Sequence, residues 1–353
     1  MTATNPERSR GARTVLGMTL YNNAKHLREA TDSLLSQTHR DFALLMLDDG
    51  SSDEVEGIAR EYERQDDRVR YLRHQQRQGM VPTWKEVAGM ARRDHPQAEY
   101  FAWVSDHDRW DTRWLDRMVA ELDAHPGAVL AYPQTLRIDD AGSVVDKEPR
   151  VFDTSGLTSP AERWRHFAWN GFGSGDMVYG LMRMRALEAA GICRPVLNPD
   201  RMLIAELTLQ GDIHQVPEPL WSRRESEGAS VARQSTSLFA GATPPRFNWP
   251  PSLQHAVLLR QQGVARPMVA TYVIASAWRA TRKTDTSKSI GRGVDNVHFV
   301  KKLVKKGARH AMYYTLVGGR MAFAKIRRAT KRVIYEVLTF THRAGLRGRT
   351  NTR

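Results

Sequence analysis

The chain has 353 residues, 41% apolar and 26% charged, which supports one large domain with an appendage or two domains and excludes disorder throughout. Its formal net charge of +14 is uneven, since residues 251–353 hold 22 Lys and Arg against 3 acids while residues 1–250 hold 31 against 36. The lone Cys193 excludes an intrachain disulfide and reads as a small buried hydrophobe, and no run reaches the roughly 18 to 20 apolar residues of a spanning helix.

Residues 1–13 are polar, are expected to be flexible, and lack the apolar core of a secretory signal, so a cytoplasmic protein is expected. Thr14 to Leu20 reads as a buried strand, broken by Tyr21-Asn22-Asn23. Leu27, Ala30, Thr31, Leu34 and Leu35 follow at helical spacing, and Phe42 to Leu47 is a second apolar run. Two such runs joined by a helix predict a parallel sheet in an α/β fold. The second run ends in Asp48-Asp49-Gly50-Ser51-Ser52-Asp53 and leads into a helix from Val55 to Arg64. A third strand is predicted over Val69–His74, a helix over Trp84–Arg92, and a fourth strand over Tyr100–Ser105 that runs into Asp106-His107-Asp108. Ligands of open α/β sheets bind at the C-terminal strand ends, so three polar strand ends mark one crevice.

Further on, a helix is predicted over Leu115–Leu122 and a strand over Ala128–Ile138, closing in a hairpin-like Asp139-Asp140-Ala141-Gly142. Trp164, Phe167, Trp169 and Phe172 beside the glycine-rich 171–175 suggest part of an acceptor pocket. Helices over Ala186–Ala190 and Asp200–Leu209 precede an edge strand at Ile213–Val216. The four prolines of 241–251 predict an extended linker between a domain at 14–240 and a basic helical region at 252–353. Within the latter, Ile326, Ala329, Val333, Val337 and Phe340 form a stripe beside Lys325, Arg327, Arg328, Lys331 and Arg332. That pattern suits a helix lying on an anionic membrane surface, or one packed on the domain with its charges solvated.

Asp106 and Asp108, one residue apart at a strand end, can jointly hold a hard divalent cation that also grips a diphosphate, or can form a plain acidic turn. Asp48 and Asp49 can accept hydrogen bonds from a base or a ribose, or can cap a helix.

From about residue 14 to 224 the sequence resembles the family-2 glycosyltransferases of the GT-A fold. Thr19-Leu20-Tyr21-Asn22, Leu34-Leu35-Ser36-Gln37-Thr38, Leu47 to Asp53 and Ser105 to Trp110 carry the resemblance, followed by Asn198-Pro199-Asp200, Glu206 to Gly211 and Trp221 to Arg224. It implies a nucleotide-sugar site at Thr19, Tyr21, Asn22 and Asp49, a Mg²⁺ or Mn²⁺ ion on Asp108 with Asp106 near the metal or the ribose, and Arg223 or Arg224 near the diphosphate. Asp200, at a helix start, is then the catalytic base, or a simple N-cap. The resemblance further implies direct displacement with inversion of the sugar's anomeric centre, and an acceptor hydroxyl on an envelope polysaccharide, a glycolipid or another glycoconjugate, lipid-linked acceptors included, at the inner face of the cell membrane. Arg77-Gln78-Gly79-Met80 and Thr83-Trp84-Lys85 depart from the family pattern, so Arg77 or Lys85 replaces the usual phosphate-side contacts, or both are solvated surface charges. A nucleotidyltransferase would need a glycine- and arginine-rich loop after the first strand, which is missing. A nucleic-acid-binding role finds no module in the basic tail, and the acidic first 250 residues would repel phosphate.

Overall fold

The computed structural model describes residues 11–145, 150–171, 174–225, 238–239 and 251–282. Its elements run β1 (Thr14–Leu20), α1 (Ala24–Leu35), β2 (Phe42–Asp48), α2 (Val55–Gln65), β3 (Val69–Arg73), α3 (Met80–Asp94), β4 (Tyr100–Val104), β5 (Arg109–Trp110) and α4 (Trp114–Ala124). They continue with β6 (Ala128–Ile138), β7 (Val144–Val145), α5 (Pro160–Asn170), α6 (Ser174–Met177), β8 (Leu181–Arg183), α7 (Met184–Ala189), α8 (Pro199–Gln210), β9 (Asp212–Arg224), α9 (Pro251–Gln261) and α10 (Arg266–Arg282).

β1 and β2 carry apolar residues on both faces because both faces are covered. Val15, Leu45 and Leu47 join a cluster with Trp84, Val87, Phe101 and Trp103, while Leu16, Met18, Leu44 and Met46 join another with Leu27, Leu34, Ile58 and Trp114. The two-residue period of the strands thus feeds two cores, one under α3 and one under α1, α2 and α4. Gly17 is where α3 and β4 come closest, since a Cβ there would lie 2.8 Å from Phe101 and 3.1 Å from Val87.

The sheet order is β3-β2-β1-β4-β8-β6-β9-β5, with β7 on β6. β1 pairs in parallel with β2 on one side and β4 on the other, and β2 with β3. The chain therefore steps outward from β1 and returns to β1's other flank, which opens a crevice at the C-terminal ends of β1, β2 and β4.

Three expectations need correction. Ile213 to Val216 is no edge strand: β9 spans thirteen residues between β6 and β5, parallel to β6, with register shifts opposite Pro133 and Gln134. Pro217, Glu218 and Pro219 interrupt its apolar pattern and hide its length from periodicity. Trp164 and Phe167 line no pocket, being fully buried between α5 and the core. Finally, the first compact unit runs to Val273, past the expected boundary at residue 240. Leu259 and Tyr272 share one core cluster with Trp164 and Phe167, and the Trp164 indole N–H donates to the Met268 carbonyl at 2.8 Å. Most of the predicted linker and the whole predicted stripe of 326–340 lie outside the described residues, as do residues 1–10.

α8 joins this late segment through Glu206, whose Oε1 accepts from Arg194 at 3.1 Å and from the Gln262 amide at 2.5 Å while Oε2 has no partner among the described residues. Burial pushes the Glu206 carboxyl up to about 7, against the opposing pull of Arg194 and Gln262. The folded chain keeps this proton where the unfolded chain has released it. The contribution is therefore intact below the ordinary value of 4.5 and is lost as pH rises through about 7. Glu206→Gln is expected to flatten that slope, matching the parent near the acid end of the window and exceeding it by about 3 kcal/mol above it. Urea unfolding at the two ends of the window measures both values.

Candidate active site

Each polar turn of the crevice is held by its own carboxylates and amides. At the end of β1, Asn22 takes a left-handed φ of 50° and stitches to the β2 turn: its N–H donates to Ser51 Oγ at 3.1 Å and its Oδ1 accepts from the Ser52 N–H at 2.7 Å. Thr19 is half-buried within β1 opposite Leu47, and the exposed Tyr21 ring lies 4.0 Å beneath the Arg77 guanidinium.

At the end of β2 the two aspartates divide the work. Asp48, wholly buried, accepts from the Ser51 N–H, the Ser51 hydroxyl and the Tyr71 hydroxyl at 2.8, 2.6 and 2.8 Å. It is a turn-building residue, and Gly50 (φ 78°) completes the turn where a side chain would be strained. Asp49 accepts from the consecutive Gln78 and Gly79 N–H groups at 2.6 and 2.8 Å and from His74 Nδ1 at 3.0 Å. Its carboxylate thus sits at the N-terminus of α3, where a negative charge is favoured, and fixes the 74–79 loop beside the crevice. Arg77 approaches Asp49 only to 3.9 Å, while Lys85 is exposed on α3.

After β4, Asp106 and Asp108 flank the His107 ring. Asp106 Oδ1 lies 2.7 Å from His107 Nδ1 and accepts from Asn23 Nδ2 at 3.0 Å, and Asp108 Oδ1 accepts from the Arg224 N–H at 2.8 Å. Both carboxylates are buried. Burial raises the Asp108 carboxyl above its ordinary value, against the pull of His107 and the Arg224 N–H. For His107, burial opposes the charge, but the Asp106 hydrogen bond and the Asp108 charge outweigh it and raise the imidazole. Among the described residues no hydrogen bond reaches the second oxygen of Asp106 or Asp108. Two buried carboxylates with free oxygens fit a hard, oxygen-preferring divalent cation.

Across the crevice, Asp200 stands in the first turn of α8, behind Pro199 and the N-cap Asn198, and is therefore not the cap. Its Oδ2 accepts from the Ser174 hydroxyl at 2.8 Å. A Cβ at Gly175 would lie 3.3 Å from Arg223 Nη1 and 3.8 Å from Asp200 Oδ2, so base candidate and cation meet at this glycine. Arg223 donates to the Gly175 carbonyl at 2.9 Å and to Asp176 at 2.6 Å, and buried Arg137 pairs with the other oxygen of Asp176 at 2.6 Å. Half-buried Tyr179 stands in the middle, edge-on to Trp84 and tilted against Trp221. Its phenol is raised by burial first, and the charges of Arg223, Asp108, Asp106 and Asp200 all reach it.

Arg224, expected near the diphosphate as an alternative to Arg223, is turned inward. Its guanidinium donates to the carbonyls of His107, Asp139 and Asp140 at 2.8–2.9 Å and bonds Glu29. Sequence reasoning missed Asn23, Ser174, Asp176, Arg137 and Tyr179. Asn23 and Ser174 lie inside runs singled out as turn-forming or glycine-rich, whereas nothing in the local pattern marks Asp176, Arg137 or Tyr179.

Residues 16–171 match the family model described as glycosyl transferase family 2. The chain carries a family-2 glycosyltransferase domain. A Rickettsia prowazekii protein named as a glycosyltransferase is 33% identical over 109 residues, 30% of each chain, and the Streptococcus pneumoniae glycosyltransferase GlyG is 38% identical over 60 residues, 17% of this chain and 20% of that one. This chain thus spans less than a third of the length of those relatives. The family-2 domain also shares its fold with S. aureus TarS 1-349, crystallised in complex with UDP-GlcNAc, at a TM-score of 0.58 and 14% identity over 86% of this chain and 87% of that one. The sheet and its helices are those of the GT-A glycosyltransferases.

The buried acidic pair gives the domain a measurable cost. Because the folded chain holds the Asp108 proton longer than the unfolded chain, unliganded stability falls as pH rises above the ordinary carboxyl value of 3.8. Asp108→Asn keeps an oxygen for the Arg224 N–H and removes the buried charge. Its unliganded melting temperature at neutral pH is expected to equal or exceed that of the parent, as differential scanning calorimetry will report.

Proposed function

We propose that the chain is a nucleotide-sugar-dependent glycosyltransferase that moves a sugar to an acceptor hydroxyl with inversion, aided by Mg²⁺ or Mn²⁺. The observation that supports this reading is the convergence of Asp106, Asp108, Arg223 and Asp200 around Tyr179 at the β1–β2–β4 crevice. UDP-GlcNAc, bound to TarS, represents the class of donor. Tyr21, Asn22 and the loop latched by Asp49 receive the nucleotide, with Thr19 beneath them. Asp108 and Asp106 would hold the ion, which when bound neutralises the diphosphate leaving group. Arg223, braced by Asp176 and Arg137, places a fixed positive charge beside the same group. Asp200, with one oxygen engaged by Ser174, offers the other to the acceptor hydroxyl and takes its proton as the new glycosidic bond forms. The exit of β1 enters α1 after three residues, which leaves no room for the triphosphate loop of a nucleotidyltransferase.

Two substitutions separate the roles. Asp108→Asn is expected to lower metal-dependent affinity for a nucleoside diphosphate by roughly tenfold or more, a loss of at least about 1.4 kcal/mol by titration calorimetry. Asp200→Asn is expected to keep that affinity and lose two to four orders of magnitude in transfer rate, on the order expected for a positioned base. Near-normal transfer by Asp200→Asn would end its assignment as the base.

The reading extends to an envelope or lipid-linked acceptor through the basic tail. No helix among the described residues is long and apolar enough to cross a membrane. The stripe at 326–340, with five basic residues beside it, suits peripheral contact with anionic lipid, each cation near the surface adding about 1 kcal/mol. Cosedimentation with vesicles of rising anionic-lipid content is expected to retain the full chain and release one ending at Asp295; equal release of both removes the membrane.

A further inference from the structure

Among the described residues, apart from the crevice, one group of side chains has the composition and geometry of a metal site. Glu121, one turn before the end of α4, His125, the C-cap of that helix, and His214 on β9 point their ligand atoms at one another, all within 4.8 Å. Glu121 Oε1 lies 2.7 Å from His214 Nδ1 and 3.1 Å from His125 Nδ1, and the two imidazole centroids are 4.8 Å apart. Metal bonds of 2.0–2.1 Å place neighbouring ligand atoms of a tetrahedral centre about 3.3 Å apart, so the two Glu121–histidine distances of 2.7 and 3.1 Å already lie near that spacing, and the two imidazoles, within 4.8 Å, reach it by side-chain rotation.

We propose that Glu121, His125 and His214 form a binding site for a borderline divalent transition metal of the zinc class. Two imidazoles and one carboxylate suit zinc, cobalt or nickel and leave a fourth position for water, which the exposed His125 places on the solvent side. Asp106 and Asp108, with oxygen donors only, suit a harder ion, so the two sites select different metals. The backbone favours a cation at this point, because the carbonyl end of α4 carries the negative pole of the helix. Arg183 fixes that end by donating to the Leu122 and Ala128 carbonyls at 2.6 and 2.7 Å. His214 lies opposite Ala131 of β6 and Arg223 opposite Arg137, six residues further on and so roughly 20 Å away at the rise of a strand, which keeps the bound ion clear of donor and acceptor. Its role is to bolt α4 to the strand whose far end carries Arg223 and Arg224.

The test uses the untagged full chain carrying Asp108→Asn, which silences the oxygen site. Titration with Co²⁺ is expected to give one equivalent of a low-coordinate visible spectrum that Zn²⁺ abolishes. His125→Asn, at an exposed position and with the Glu121 to His214 hydrogen bond intact, is expected to weaken Zn²⁺ binding by about 1,000-fold, beyond the roughly 10- to 100-fold cost of losing an outer-sphere partner. Melting curves establish that this variant folds, and its affinity for the nucleoside diphosphate, measured without Asp108→Asn, is expected to be unchanged. Absence of the Co²⁺ spectrum, or Zn²⁺ affinity that His125→Asn does not alter, would overturn the proposal and leave two histidines hydrogen-bonded to Glu121.

Discussion

The crevice depends on one residue that does no chemistry. The Arg224 backbone N–H holds Asp108, and its guanidinium gathers the His107 carbonyl, the two carbonyls of the β6–β7 hairpin and Glu29 of α1. Four segments distant in sequence are thereby fixed around the acidic turn. A planar fork with five donors can do this, where a lysine, with three donors on one nitrogen, would leave buried carbonyls unpaired. The clamp also sets the spacing between the two halves of the sheet: β4 brings the acids from one side, and β9 brings the arginines from the other.

The charges divide into those that build and those that wait. Asp48 and Arg224 satisfy their hydrogen-bonding capacity inside the protein. Asp106, Asp108 and Asp200 each retain an oxygen with no partner among the described residues. Burying such groups without full compensation opposes folding, and the raised carboxyl of Asp108 records that opposition. A site arranged in this way gains most when an anion and a cation enter together, since each offsets charge that the other and the protein leave unbalanced.

Much of this was legible in the sequence, for reasons that name specific residues. β1, β2 and β4 are apolar on both faces, so their continuous runs and the acidic turns that end them were readable as a nucleotide-binding edge. β8 was not, because three residues carry no period. β9 was cut short by Pro217 and Pro219, which belong to a strand only where the ladder bulges. α5 did announce itself in Ser159-Pro160-Ala161-Glu162, whose side chains form a capping box, within a region where the aromatics drew attention instead. The choice between Arg223 and Arg224 lay beyond sequence, since neighbours on a strand face opposite ways and only the sheet's orientation decides which meets the crevice.

That last alternation gives the irregular part of β9 a second meaning. Between Val216 and Trp221 the ladder with β6 changes register twice, and from Trp221 to Arg224 it runs in step. The bulges therefore set the parity of everything after them. Adding or removing a single residue there would turn each guanidinium to the opposite face of the strand, the clamp toward the crevice and the crevice charge toward the core. Two residues would restore the parity but displace both side chains along the strand. The segment 217–220 is thus a spacer of fixed length, intolerant of insertions and deletions, while Leu220 packs into the core and Glu218 pairs with Arg113 and Arg117.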